Sequence, residues 1–342
     1  MVDFSDEDGP RGWIVRRPPE LHDPVAARRA LRRFPGIAYS DSKASNTVAL
    51  LSCRSLCTWA VATAGLTPNL KAAATEAAAA LAKVEEPVPP DATAFSAAAA
   101  SNARGAQEQD ALARDSGHSA AEIFTTPLWL HSVAPEAIVP ALEDLQTFWE
   151  TAPAAWSFWR RWYNGMLRGE PLPWDLQEQV ALLPDEIWEA GPEAVAGRIA
   201  EIEARFEVKR RNEALEEELV RGVSQRLGIG GNNPPAAIDD LPPRVREETI
   251  LILEPILDFK EQTDAPVADP GKIQRAISKL IGILAACGQW VGGKLDAAAT
   301  EFAKKIGAWG AKGVIAVIAA HQLEIQTLIR AAADWLSKLP VP

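Results

Sequence analysis

The amino-acid sequence predicts an all-α protein: a multi-helix bundle with a long helix and a separate apolar C-terminal helical module. Apolar residues recur at spacings of three and four, which is the period of a helix. Alanine runs fill the N-terminal third, and alanine is the strongest helix former. The 342 residues, 47% of them hydrophobic, suffice for about two domains. We predict a bundle over 1–228 (Ala-rich 1–124, Trp-rich 125–228), a Gly/Pro hinge over 229–244 and the apolar module over 245–342.

The alanine-rich segment is predicted to form slim helices that pack closely. Its breaks fall at Thr67-Pro68, at the proline turn 87–90 and at 115–117, where proline or glycine ends a helix. Cys53 and Cys57 share one helix face, but no second pair of metal-ligating residues accompanies them. We therefore expect two buried thiols in a core helix.

The tryptophan-rich segment is predicted to contain a helix that starts near Thr151 and Pro153 and stops at Gly169. One face of this helix carries Trp156, Trp159 and Tyr163, and a second face carries Phe158 and Trp162. Because aromatic residues occupy two faces, we expect burial on both sides. A second helix is expected at Pro184, where Asp185 and Glu186 complement the helix dipole.

The longest helical pattern opens at Gly191-Pro192 and runs to Leu227, with Gly228 as its stop. Its apolar spacing slips between Phe206 and Leu215, beside a basic and an acidic run. We expect one long helix that projects from the bundle and is able to pair with another helix. Two helices joined by a kink are the alternative.

The C-terminal module follows a dense run of glycine, asparagine and proline at 228–235. It is predicted to open with an amphipathic helix whose apolar face carries Val245, Ile250, Leu253 and Leu257, and to break at 265–266 and 269–270.

Two apolar stretches of this module, 280–293 and 306–323, place small residues at helical repeats, which allows close helix packing in membranes or oligomers. Lys312 would cost about 2.5 to 3.5 kcal/mol at the centre of a membrane span. An ordinary soluble helical hairpin is therefore the equal alternative. The candidate membrane or oligomer contacts are Trp290, Trp309, Lys312, Gly313, Ile315 and Ile318.

Composition and motifs argue against most enzyme classes and against nucleic-acid binding. A net charge of -11 offers no dominant basic surface for phosphates. The four histidines are dispersed without a second histidine at ligand spacing, and no G-x-S-x-G, H-E-x-x-H, Walker or kinase signature is present. We therefore predict no catalytic residue, cofactor or metal.

The one basic cluster consists of Arg28, Arg29, Arg32 and Arg33, which align as i, i+4 pairs. It is a candidate contact for an anion or an acidic partner. Pairing with the acidic N-terminus of the same chain is the alternative, because those carboxylates are near in sequence.

The segments WSFWRRWY (156–163) and PDEIWEAGP (184–192) resemble a motif of uncharacterised bacterial proteins that have alanine-rich N-termini and an Asn-Asn-Pro-Pro hinge. The resemblance implies a bacterial origin and transfers no site residues, because no activity is attached to that family.

From these features we expect a non-catalytic bacterial interaction protein that has a protein partner or self-associates, and whose C-terminal helices oligomerise or engage a membrane. That organisation is typical of an effector of a toxin or anti-phage defence system. A soluble helical adaptor or scaffold is the alternative, and an enzyme with an unrecognised site is the third hypothesis. Three cysteines and an acidic N-terminus predict a cytoplasmic location, at most peripheral to the inner membrane.

Overall fold

The computed structural model confirms the predicted all-α class. It describes residues 27–28, 30–32, 34–35, 45–64, 68–82, 122–129, 134–226, 243–288, 294–308 and 318–339. Within these ranges the chain forms helices joined by turns, and no β-strand occurs among them.

The chain divides into two compact units, Met1–Ile199 and Ala200–Pro342. The boundary between them falls inside the longest helix, α7 (Pro192–Arg226), which is continuous as predicted. The predicted hinge at 229–244 lies almost wholly outside the described residues. The assignment of that hinge as the domain boundary therefore stays a prediction.

The first unit contains the alanine-rich and tryptophan-rich helices. They are α1 (Ser45–Ala64), α2 (Pro68–Ala82), a 3₁₀ turn (Ile123–Thr125), α3 (Val139–Thr151), α4 (Pro153–Arg168), α5 (Trp174–Ala181), α6 (Asp185–Glu189) and the start of α7. Helix α1 packs against α2 and α5, and α3 packs against α4. The predicted break at Thr67-Pro68 is confirmed, because α2 begins at Pro68.

Helix α4 carries the aromatic centre of the first unit. The five aromatic residues predicted to lie on its two faces are all buried. Two of them bond within the fold: Trp162 Nε1 donates to Gln177 Oε1 at 2.7 Å, and the Tyr163 hydroxyl donates to the Leu31 carbonyl at 3.1 Å. The prediction that this helix is buried on both sides is therefore confirmed.

The end of α4 was predicted more accurately than its start. Thr151 is the last residue of α3, and Ala152 precedes the first residue of α4, Pro153, so the start lies slightly beyond the predicted Thr151. Gly169 ends the helix as predicted, with a left-handed φ of 75°. A Cβ at Gly169 would lie 2.4 Å from the carbonyl carbon of Thr126, so the backbone of Thr126 leaves no room for a side chain at this position.

The second unit is built around the helix α9. Its helices are α7 from residue 200 onwards, α8 (Pro243–Asp264), α9 (Pro270–Ala286), α10 (Ala297–Ala308) and α11 (Gln322–Lys338). Helix α9 packs against α8, α10 and α11, and one apolar cluster runs from Ala204 in α7 to Trp335 in α11. The predicted break before Pro270 is confirmed, and the Asp269 carboxylate caps α9 by accepting from the amides of Gly271 and Lys272.

Helices α7 and α8 run antiparallel and are joined along their length by polar contacts. Arg205 donates to the carbonyls of Thr263 and Ala265 at the C-terminal end of α8. Farther along α7, Asn212 Nδ2 donates to the Ile256 carbonyl at 2.9 Å. The partner helix of this part of α7 is therefore a helix of the same chain.

The prediction of which residues form the apolar face of α8 is partly wrong. Leu253 is buried as expected, but Leu257 is 44% exposed, and the residues that enter the core with Leu253 are Ile256 and Phe259. Leu257 lies about 100° around the helix from Ile256, because each residue of an α-helix turns by that angle. Helix α8 packs against α9, and its Ile256 carbonyl accepts from Asn212 of α7, so tertiary contacts decide which face of α8 is buried.

Helices α9 and α10 approach each other at a glycine. A Cβ on Gly282 would lie 2.6 Å from the Ala299 carbonyl oxygen and 3.1 Å from Cβ of Phe302. Asp296 caps α10, accepting from the Ala299 amide at 2.7 Å and from the Ser278 hydroxyl of α9 at 2.5 Å. These hydrogen bonds hold the pKa of the Asp296 carboxyl below its usual value, that from Ser278 having the largest effect.

Candidate functional site

The structure covers one of the six candidate membrane or oligomer contacts. Ile318 is fully buried in the apolar cluster of the second unit. Ile306, which opens the same apolar stretch, is 2% exposed and belongs to the same cluster. Ile306 and Ile318 thus contact the protein core, whereas Leu323 at the end of the stretch is exposed. The other five candidates, Trp290, Trp309, Lys312, Gly313 and Ile315, lie outside the described residues.

The two described arginines of the basic cluster have a structural role. Arg28 and Arg32 are buried, and their guanidinium groups donate to backbone carbonyls of the irregular segment 122–129. Arg28 binds the carbonyls of Ile123, Thr126 and Pro127 at 2.5 to 2.9 Å, and Arg32 binds that of Leu128 at 2.9 Å. Buried carbonyls that are not paired within a helix need other donors, and these arginines supply them. Arg29 and Arg33 lie outside the described residues, and the anion contact stays a prediction for the whole cluster.

One helix among the described residues is long and apolar enough to cross a membrane, the stretch Asn46–Ala64 of α1. This is weak support for a span, because a core helix meets the same two criteria and most of this stretch is buried. This stretch is not among the membrane contacts predicted from the sequence.

Arg54 lies within this apolar helix and is 4% exposed, which is unusual for an arginine. Its Nη2 pairs with the Asp185 carboxylate, and its guanidinium carbon lies 5.1 Å from the centre of the Trp188 ring. Asp185 also occupies the first turn of α6, as the sequence predicted. The ion pair itself was missed, because nothing in the local pattern links residues in different helices.

The two cysteines of α1 are buried thiols, as the sequence analysis expected. Burial raises the pKa of the Cys53 and Cys57 thiols well above the usual value, and the neighbouring Cys57 adds to the effect at Cys53. A thiol in this setting is neutral and a poor nucleophile.

Among the described residues, four of the six exposed large apolar side chains lie in the second unit. Val267, between α8 and α9, is 85% exposed, and Leu323, at the start of α11, is 66% exposed. Leu257 and Leu295 of the same unit are also exposed. In the first unit the described exposed apolar side chains are Val139 and Leu182, at 38% and 41%.

A group of ligating side chains lies beside Leu323. His321, Glu324 and Glu218 place three ligand atoms within 4.8 Å of one another. Nδ1 of His321 lies 3.3 Å from Oε2 of Glu218, and both side chains are partly exposed. Sequence spacing reveals only the His321–Glu324 part, because Glu218 comes from the distant helix α7.

No known protein family matches the chain, and neither the curated proteins nor the solved structures include a significant match.

Proposed function

We propose that this chain is a non-catalytic interaction protein whose C-terminal unit associates with a second copy of itself. The proposal rests on one observation: among the described residues, the two most exposed large apolar side chains, Val267 and Leu323, both belong to that unit. Association with a second copy would remove such exposed apolar surface from water, which favours binding. The buried polar groups of the described residues include Arg28, Arg32 and Arg54, which bond within the fold.

Self-association in water is favoured here over insertion into a membrane. Ile306 and Ile318, two residues of the apolar stretch, belong to the core of the unit. Insertion of that stretch would have to remove both side chains from the core, at about 1.5 to 3 kcal/mol each before any membrane contact compensates. A role as a bacterial effector in a toxin or anti-phage system, acting from the cytoplasm, is part of the proposal.

The experiment is sedimentation velocity of the full chain over a wide concentration range. We expect reversible association by the wild type. We expect Val267→Glu and Leu323→Glu to weaken the association at least tenfold, because a carboxylate would be buried without a partner in the interface. Leu182→Glu is the matched control: it adds the same charge at an exposed leucine of the first unit and should associate like the wild type.

Flotation with vesicles of anionic lipid separates the remaining alternatives. A chain that stays monomeric at every concentration and floats with vesicles would overturn the proposal in favour of membrane engagement. A chain that stays monomeric and does not bind vesicles would overturn it in favour of a soluble adaptor for another protein.

A further inference from the structure

The cluster of His321, Glu324 and Glu218 has the chemistry of a metal-binding site. An imidazole nitrogen and two carboxylate oxygens form a mixed nitrogen and oxygen set, which suits first-row divalent ions and zinc in particular. Magnesium and calcium prefer oxygen ligands alone. We propose that Glu218, His321 and Glu324 bind one Zn²⁺ ion, with water in the remaining coordination position.

The spacing of two of the three ligand atoms agrees with tetrahedral zinc, and all three lie within 4.8 Å of one another. Zinc binds histidine nitrogen at about 2.0 to 2.1 Å and carboxylate oxygen at about 2.0 to 2.2 Å, so two ligand atoms of one tetrahedron lie about 3.3 Å apart. Nδ1 of His321 and Oε2 of Glu218 are separated by 3.3 Å. Glu324 is exposed, so its side chain is free to rotate the short distance that completes the set.

The charge balance of the cluster also calls for a cation. Two carboxylates converge on one imidazole, and Glu218 follows Glu216 and Glu217 in an acidic run of α7. Among the described residues, neither Glu218 nor Glu324 has a lysine or arginine within ion-pair distance. The neighbouring Glu216, in contrast, pairs with Lys260 at 3.2 Å. A divalent ion would neutralise the two carboxylates that lack such a partner.

The backbone that carries the ligands is held by the core. Leu215 and Leu219 flank Glu218, and Ile318 and Ile325 flank His321 and Glu324; all four are buried in one apolar cluster. Ligands on packed elements keep their relative positions before the ion arrives, which lowers the cost of binding. The ion would link α7 to the start of α11 within the second unit.

The test is isothermal titration of the metal-free full chain with Zn²⁺, supported by the visible absorption of bound Co²⁺. We expect one saturable equivalent of zinc and a Co²⁺ spectrum typical of four- or five-coordinate geometry. Because each substitution removes one of three ligands, Glu218→Gln, His321→Ala and Glu324→Gln should each weaken binding on the order of 100-fold. Bound zinc should also raise the melting temperature of the wild type, since it binds the folded chain alone.

The matched control is Glu217→Gln, which removes the same charge from the adjacent exposed position of α7 and should bind zinc like the wild type. Glu324→Gln, at an exposed site, keeps the test valid if His321→Ala misfolds. Absence of zinc binding by the wild type would overturn the proposal. Equal binding by the wild type and all three ligand variants would overturn it as well. Neither result depends on self-association, which is measured separately.

Discussion

At the scale of single residues, the sequence pattern predicted the burial of some polar side chains and missed that of others. The sequence predicted correctly that Cys53 and Cys57 are buried, because their i, i+4 spacing places both on one face of a helix rich in apolar residues. It did not predict the burial of Arg54 on the same helix, because that depends on Asp185 and Trp188 in α6. A buried arginine needs partners, and tertiary packing decides which they are.

The same limit applies to Arg28 and Arg32. Their i, i+4 spacing correctly indicates one shared helix face. Whether that face binds an external anion or the chain itself depends on which residues pack against it in the folded protein. In the structure the acceptors are carbonyls of residues 123–128, far along the sequence. Backbone carbonyls have no sequence signature, so this role could not have been predicted from residue types.

The cysteines give a prediction at this scale. In the folded protein, Cys287 should react first with a water-soluble disulfide reagent, because it is partly exposed whereas Cys53 and Cys57 are buried. The Cys287→Ser variant should then show no rapid phase in a kinetic thiol assay until denaturant is added. Rapid modification of two or more thiols in the native protein would contradict the structure.

The raised pKa values also set the direction of a pH effect. The thiols of Cys53 and Cys57 hold their protons more tightly when folded than when unfolded. Their contribution to stability is therefore complete below about pH 8.5 and is lost as the pH rises above that value. Urea unfolding at a series of alkaline pH values measures this loss, which should shrink in a Cys53→Ala, Cys57→Ala double variant.

At the scale of helices, the positions of proline and glycine predict several helix ends accurately. Pro68, Pro192 and Pro270 each begin a helix, and Gly169 ends one. Proline lacks an amide hydrogen, so it favours the first turn whatever the tertiary structure. The face of α8 was harder to predict, because Ile256 and Leu257 are both apolar and only the packing of α8 against other helices decides between them.

The crossing of α9 and α10 gives a prediction at the scale of helices. Gly282→Ala should lower the free energy of unfolding by about 1 to 3 kcal/mol, because the added Cβ meets backbone atoms that cannot move aside alone. Gly197→Ala in α7 is the matched control, since a Cβ there meets nothing within 4 Å. That variant should be stabilised by up to about 1 kcal/mol through better helix propensity.

Both glycine variants are measured by urea denaturation followed by circular dichroism. If Gly282→Ala proved as stable as the wild type, the close approach of α9 and α10 would be contradicted.

At the scale of the whole molecule, the sequence predicted an all-α chain with a distinct C-terminal part, and the all-α class is confirmed. The second compact unit begins at Ala200, within a continuous helix that Gly197 does not break, so no change in the sequence pattern marks the boundary. The sequence pattern also does not predict that Glu218 lies close to His321 and Glu324, because this proximity arises from the packing of α7 and α11 around one core.

We propose that the second unit carries the surface through which the chain associates. Hydrogen exchange of the full chain, followed by mass spectrometry at low and at high protein concentration, locates this surface. We expect slower exchange at high concentration in peptides that cover 265–268 and 320–324, around Val267 and Leu323, with peptides over 180–184 unchanged. Identical exchange at both concentrations, or protection confined to 180–184 in the first unit, would contradict the claim.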